Sequence, residues 1–288
     1  MKFRINFVQF IIGAERGMEM KTFQLNDYAL HVFFSDAGSF YVTMEVLEKD
    51  GHAVLVNTGF TRSAARKISH WIKEKGLILD KVFIMHFDPD YYFGLETVIR
   101  EFPEVIAYAP KVTVDNIYSS VPGKLAVWKN VLKEDAPVNP VIPKALENGA
   151  VNLVGVPFVF NGETGRINLW DEKNRVLLGG IDTFNEIHVF LADTGSREKL
   201  EAWIKRLNTL EALNPDILIP SHGVETGAFD KNALVHTREY LKSAMDGISR
   251  AENSRELTDF LLAAYPDREN KGVVELGAKV LMGELQWG

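Results

Sequence analysis

The chain has 288 residues, 46% of them hydrophobic and 25% charged, and a formal net charge of -7. These are ordinary globular values, with enough apolar residues for a sizeable core. No dense Lys/Arg cluster appears, so no nucleic-acid-binding face is expected. There is no cysteine, which excludes disulfides and zinc-thiolate sites, leaves His, Asp and Glu as metal ligands, and fits a cytoplasmic protein.

The first residues, Met1-Lys2-Phe3-Arg4 and the apolar run after them, faintly imitate a signal peptide. Asn6 and Gln9 interrupt the run and Glu15 and Arg16 follow at once, so residues 1–20 are expected to be an N-terminal extension or edge strand. No window reaches the roughly 18 apolar residues of a membrane span, and no membrane partner is expected. Residues 21–288 are expected to form a single domain.

Residues 28–34 and 40–47 are rich in β-branched and aromatic residues, and the Asp50-Gly51 turn leads into a strand at 53–56, so a hairpin or meander is expected. Ala64, Ile68, Trp71 and Ile72 share a helical face that ends at Gly76. A short apolar run at 81–85 suits a buried strand and stops at His86. A helix at 95–102 and a strand at 105–109 complete a β-α-β-α-β run with right-handed crossovers.

Five prolines punctuate residues 110–145, from Pro110 to Pro143. Two helices, 112–119 and 123–132, are expected there as an insertion in which Lys124, Trp128 and Lys129 either cover a pocket or pack and solvate a surface helix. Strands are expected at 151–160, 166–170 and 175–178, with turns at Asn161-Gly162 and over 171–174. A long helix with an apolar stripe from Leu200 to Leu213 follows, then a short strand at 216–220. From Lys231 the chain is expected to be mostly helical. Strands followed by helices, twice over, predict two sheets face to face with helices outside: a four-layer αββα sandwich.

Three strand ends carry polar residues: His86-Phe87-Asp88-Pro89-Asp90, Ile181-Asp182-Thr183 and Ser221-His222-Gly223. In α/β architectures such loops share a rim on a rigid scaffold. In an extended stretch His86, Asp88 and Asp90 would point at one spot, and three ionisable groups beside an apolar strand call for a counter-charge that a divalent cation could supply. The alternative has Asp90 capping the next helix, Asp88 in an Asx turn and His86 packed and hydrogen-bonded. His188 is expected to pack against Phe190 and Trp203, unless the resemblance described next gives it a contact with substrate.

The run from His86 to Leu95 resembles the H-x-H-x-D-H-x-x-G loop of the metallo-β-lactamase superfamily. Residues 54–60 (Val-Leu-Val-Asn-Thr-Gly-Phe) look like its L-V-D-T-G segment, Gly180-Ile181-Asp182 sits near its G-D motif, and residues 219–223 are similar to its late P-G-H-G. The resemblance spans about residues 25–225 and is nearest to bacterial hydrolases of the lactonase-like branch. It implies the αββα fold and hydrolysis of a small, partly hydrophobic lactone, ester or amide by a metal-activated water. It also implies one divalent ion (Zn, Fe or Mn) or none, held among His86, Asp88, Asp90, Asp182 and His222. Asp90, Tyr91 and His188 would be the catalytic groups. Departures accompany it: Asp88 and Tyr91 stand where histidines are usual, Asn57 replaces an Asp, and residues 161–164 hold no imidazole. They leave open a member without a full metal site, either a ligand- or partner-binding protein or a metal-free acid–base enzyme using Asp88, Asp90 and Tyr91.

Overall fold

A computed structural model describes residues 18–147 and 149–287. The expected extension over residues 1–20 therefore lies almost wholly outside the described residues. The chain divides into two compact units, residues 1–181 and 182–288.

The first unit holds two sheets. The larger has seven strands in sequence order: β1 (Glu19–Gln24), β2 (Ala29–Phe34), β3 (Thr43–Lys49), β4 (His52–Val56), β5 (Ile78–Phe83), β6 (Ile106–Pro110) and β7 (Lys144–Leu146). The first three pairings are antiparallel and the last three parallel. The parallel crossovers carry α1 (Arg62–Glu74), then α2 (Pro89–Tyr92) and α3 (Leu95–Glu101), then α4 (Lys111–Leu132). Parallel order places Asn57, His86 and Lys111, each just past its strand, at one edge of the sheet, where sites form in such architectures.

The elements follow from local chemistry. Thr61 caps α1 by accepting from the Ala64 amide at 3.1 Å, satisfying one of the end donors a helix leaves open. Gly76 ends that helix at φ +67°. Side chains alternate along the strands. Met44, Val46, Leu55 and Ile84 join Ile68 and Ile72 of α1 in one buried cluster, each such side chain worth about 1.5–3 kcal/mol of transfer free energy. The alternate residues face the second sheet, an antiparallel meander of β8 (Ala150–Leu153), β9 (Val156–Glu163), β10 (Arg166–Asp171) and β11 (Val176–Leu178). The Tyr28 hydroxyl donates to Asp171 at 3.0 Å across this interface. The αββα sandwich expected from the pattern is the observed fold class.

Three expectations about elements need correction. The two helices around Pro122 are one continuous α4. An interior proline removes the hydrogen bond to the carbonyl four residues back, here Tyr118. Tyr118 is 73% exposed, so water can take that bond. The single strand expected over 151–160 is the β8–β9 hairpin, turning at Val154-Gly155 with φ +46° and +82°. The Gly155 amide donates to the Asn152 side chain at 2.9 Å, a signal hidden in an apolar run. As a result the next turn moves from Asn161-Gly162 to Thr164-Gly165. Phe40 and Tyr41, expected in a strand, are left-handed at φ +56° and +59°.

The second unit contains β12 (Phe184–Asn185), β13 (Ile217–Leu218), β14 (His222–Gly223), and the helices α5 (Arg197–Ala212), α6 (Lys231–Arg250), α7 (Ser254–Ala264) and α8 (Gly272–Leu281). The helical C-terminal region matches expectation. β12 and β14 pair in parallel. Among the described residues no helix is long and apolar enough to cross a membrane.

Candidate functional site

The loop after β5 is built on the Asn57-Thr58-Gly59 segment. The Met85 amide donates to Asn57 Oδ1 at 3.0 Å and the Asn57 amide to Phe83 O at 2.7 Å. Asn57 is left-handed at φ +59°, a conformation Asn and Asp tolerate best among non-glycine residues. The Thr58 amide and hydroxyl both donate to Tyr91 O, at 2.8 and 3.2 Å, and the Gly94 amide donates to Gly59 O at 3.0 Å. The V-N-T-G segment thus clamps both ends of the His86 loop.

His86 is buried, with its ring centroid 4.4 Å from that of Phe87 and 5.1 Å from that of Tyr91. Its Nδ1 faces Asp88, whose amide nitrogen lies at 3.2 Å and Oδ2 at 3.3 Å. Those contacts exclude one another: the amide needs an unprotonated Nδ1, the carboxylate a protonated one. In either state Nε2 has no hydrogen-bond partner among the described residues. The other Asp88 oxygen accepts from Lys124 Nζ at 2.7 Å. That ammonium also donates to Phe87 O at 2.9 Å and lies 4.3 Å from the Phe87 ring centre. Burial raises the Asp88 pKa, but the adjacent His86 and Lys124 outweigh it and hold the carboxyl well below the usual range.

The expected row of His86, Asp88 and Asp90 does not form. Asp88 is extended at ψ 146°, but Pro89 opens α2, so Asp90 is turned away from the alternation by the first helical turn. Asp88, not Asp90, stands at the N-cap position, and its side chain makes no cap bond. Asp90 is buried in the first turn. Tyr91 is fully buried and its hydroxyl donates to Gly180 O at 3.2 Å.

The remaining candidates lie in the second unit. Asp182 is fully buried; its Oδ2 accepts from Arg206 Nε at 3.1 Å and its carbonyl from Trp203 Nε1 at 2.9 Å, both on α5. His222 is buried with its ring stacked on Phe184 at 4.9 Å. His188 is fully buried, with Nδ1 2.9 Å from the Tyr240 hydroxyl and Nε2 without a hydrogen-bond partner among the described residues. Burial first, then the charges of Lys271 and His236, lower its pKa to about 4, so the ring is neutral. The His188 ring meets that of Tyr240 edge to face, with centroids 5.7 Å apart.

Within each unit the donors do not make a site that fits a divalent ion. Among the described residues no three His, Asp or Glu side chains are gathered to hold one. The reason is in the chemistry of the set. Asp88 already has Lys124, Asp182 already has Arg206, and the Tyr91 phenol is spent on a backbone carbonyl. A fixed ammonium 2.7 Å from a carboxylate opposes a second cation there. Arg206 escaped the sequence reading: it lies 24 residues from Asp182, and nothing beside it along the chain points to that carboxylate.

The family described as the metallo-beta-lactamase superfamily matches residues 38–222. The chain belongs to that superfamily. Solved structures agree on the fold. The DIM-1 metallo-beta-lactamase is 21% identical at a TM-score of 0.53, over 78% of this chain and 98% of its own. The metallo-beta-lactamase family protein TTHA1429 from Thermus thermophilus is 16% identical at 0.60, over 84% and 88%. The stereoselective inverting sec-alkylsulfatase Pisa1 from Pseudomonas sp. is 14% identical at 0.59, over 89% of this chain and 49% of its own. No curated protein matches the chain. Divalent metal is usual in the superfamily, and the donor set of this member departs from that custom at the positions just described.

Proposed function

We propose that this superfamily member works at the His86 loop on a small, partly hydrophobic lactone, ester or amide, with His86 carrying the proton and no metal ion in the step. The supporting observation is the single ring nitrogen left over: Nδ1 faces Asp88 while Nε2 has no partner among the described residues. An imidazole oriented by a carboxylate is a suitable general base. With its Nδ1 proton donated to Asp88, Nε2 takes a proton from a water whose oxygen attacks the carbonyl carbon. When the bond to the leaving oxygen or nitrogen breaks, Nε2 returns that proton to the leaving group, and the ring ends neutral. Asp88 stays ionised beside Lys124 and holds the ring in place. The lack of cysteine supports a cytoplasmic setting.

The test is hydrolysis of a panel of lactones, esters and amides by protein treated with chelator. His86→Gln is expected to lower the rate at least about 100-fold, the usual worth of a positioned base. Activity lost with chelator and regained with Zn, Fe or Mn would instead support the metal-activated water that the superfamily resemblance implies. Asp90→Asn is the parallel test of Asp90 as the base. A second reading, ligand binding without turnover, is favoured by Tyr91, whose phenol is committed to Gly180 O; tight binding of a panel compound without hydrolysis would establish it.

A further inference from the structure

We infer that Lys124 is the resident cation of the His86 loop: its ammonium holds the Asp88 carboxylate in the role a divalent ion would serve, and in doing so keeps metal out. The inference rests on the same reading of the loop as a metal-free site, but it is read out by metal uptake and thermal stability rather than by turnover.

Three contacts carry it. Nζ lies 2.7 Å from Asp88 Oδ1, 2.9 Å from Phe87 O and 4.3 Å from the Phe87 ring centre. Together they use the donors an ammonium has. Lys124 and Asp88 side chains are both about one-fifth exposed, at 22% and 20%, so water screens the pair only in part. The helix that carries the ammonium, α4, is pinned on both sides of it. One turn on, Trp128 meets Phe60 at 5.0 Å and Phe40 at 5.7 Å, edge to face. Beyond the helix, the Ser63 amide donates to Asp135 at 2.8 Å and the Ser63 hydroxyl donates to the same carboxylate. Earlier in the helix, Asn116 and Phe87 both stand near the Gly165 turn, within 3.7 Å of where a Cβ on that glycine would sit. The helix that carries the charge is therefore docked before any ligand arrives, and the site is pre-neutralised.

A charge held this way predicts an exchange. With Lys124 replaced by a neutral side chain of similar length, Asp88 loses its counter-ion while His86 and Asp88 stay in place, and an added cation can take the position. The experiment compares wild type, Lys124→Met, Lys124→Arg and the Lys124→Met/Asp88→Asn double variant, each titrated with Mn²⁺ or Zn²⁺ and followed by thermal unfolding and by elemental analysis after dialysis. Wild type and Lys124→Arg are expected to retain no stoichiometric metal and to show no change in Tm. Lys124→Met is expected to bind Mn²⁺ or Zn²⁺ at least about tenfold more tightly than wild type and to gain Tm with it, since one opposing charge has gone. The double variant is expected to lose that gain. A wild-type protein that keeps stoichiometric metal through dialysis overturns the inference, as does a Lys124→Met variant that binds metal no better than wild type. If Lys124→Met does not fold, Lys124→Gln carries the same comparison, and the wild-type metal content decides by itself against the inference if it is stoichiometric.

Discussion

Glu45→Gln is expected to stabilise the protein at neutral and alkaline pH and to leave it unchanged near pH 4. Glu45 sits in β3 between Val32 and Val56 of the neighbouring strands, on the face turned away from α1. It is fully buried. One carboxyl oxygen accepts from the Thr43 hydroxyl at 2.9 Å and the other has no hydrogen-bond partner among the described residues. Burial pushes its pKa up to about 8, opposed only weakly by the Thr43 hydrogen bond. The folded protein therefore keeps a proton that an unfolded glutamate gives up near pH 4.5. Stability from this group is complete below about pH 4.5, falls as pH rises towards 8, and levels off above it. At pH 7 the loss amounts to about 3 kcal/mol, one pKa unit being about 1.4 kcal/mol. Glutamine keeps the acceptor for Thr43 and has no proton to lose. Urea unfolding of both proteins at pH 4.5 and pH 8 measures the effect. A difference between them that is the same at both pH values would mean that Glu45 does not hold its proton.

Gly94→Ala acts in the opposite direction. A Cβ at this position would lie 2.1 Å from the Thr58 carbonyl oxygen and 2.9 Å from Ala65 Cβ. The nearest atom is backbone, and it belongs to the clamp that holds both ends of the His86 loop, so it cannot turn aside. The Gly94 amide is also bonded to Gly59 O. Overpacking against a fixed backbone costs about 3 kcal/mol or more, with a fall in Tm of roughly 5–10 °C for a chain of this size. Calorimetry reads the fall. Because the displaced loop carries His86, panel hydrolysis is expected to drop in the surviving folded fraction as well. A variant with wild-type Tm would show that the loop has another way to close. The glycine of the H-F-D-P-D-Y-Y-F-G motif is thus explained by close approach, since its own φ is -68° and needs no special residue.

Much of this was legible along the chain. The alternation in residues 28–34 and 53–56, the face through Ala64, Ile68 and Ile72, and Gly76 are short-range patterns, and each reports which side of an element is buried. They were enough for the layers of the fold. Where reading failed, the local signal was silent or overridden. Val154-Gly155 makes a tight turn inside an apolar run because the Asn152 side chain and a glycine at φ +82° supply what polar turn residues usually supply. Pro122 does not end its helix, and Tyr118, whose carbonyl it leaves without an intrahelical donor, is an exposed residue where water can take that bond.

The candidate site divides in the same way. The sequence alone located the loops, named His86, Asp88, Asp90, Tyr91, Asp182, His188 and His222, and showed two of the superfamily's histidines replaced. Those are facts of residue type and spacing. What each carboxylate does with its charge was decided only by tertiary structure. Lys124 is 36 residues from Asp88, and Arg206 is 24 residues from Asp182. Nothing in their neighbours along the chain says that a helix will deliver one ammonium and one guanidinium to those oxygens. A buried carboxylate must find a counter-charge; the sequence could state that need, and only the packing of α4 and α5 could say that lysine and arginine meet it.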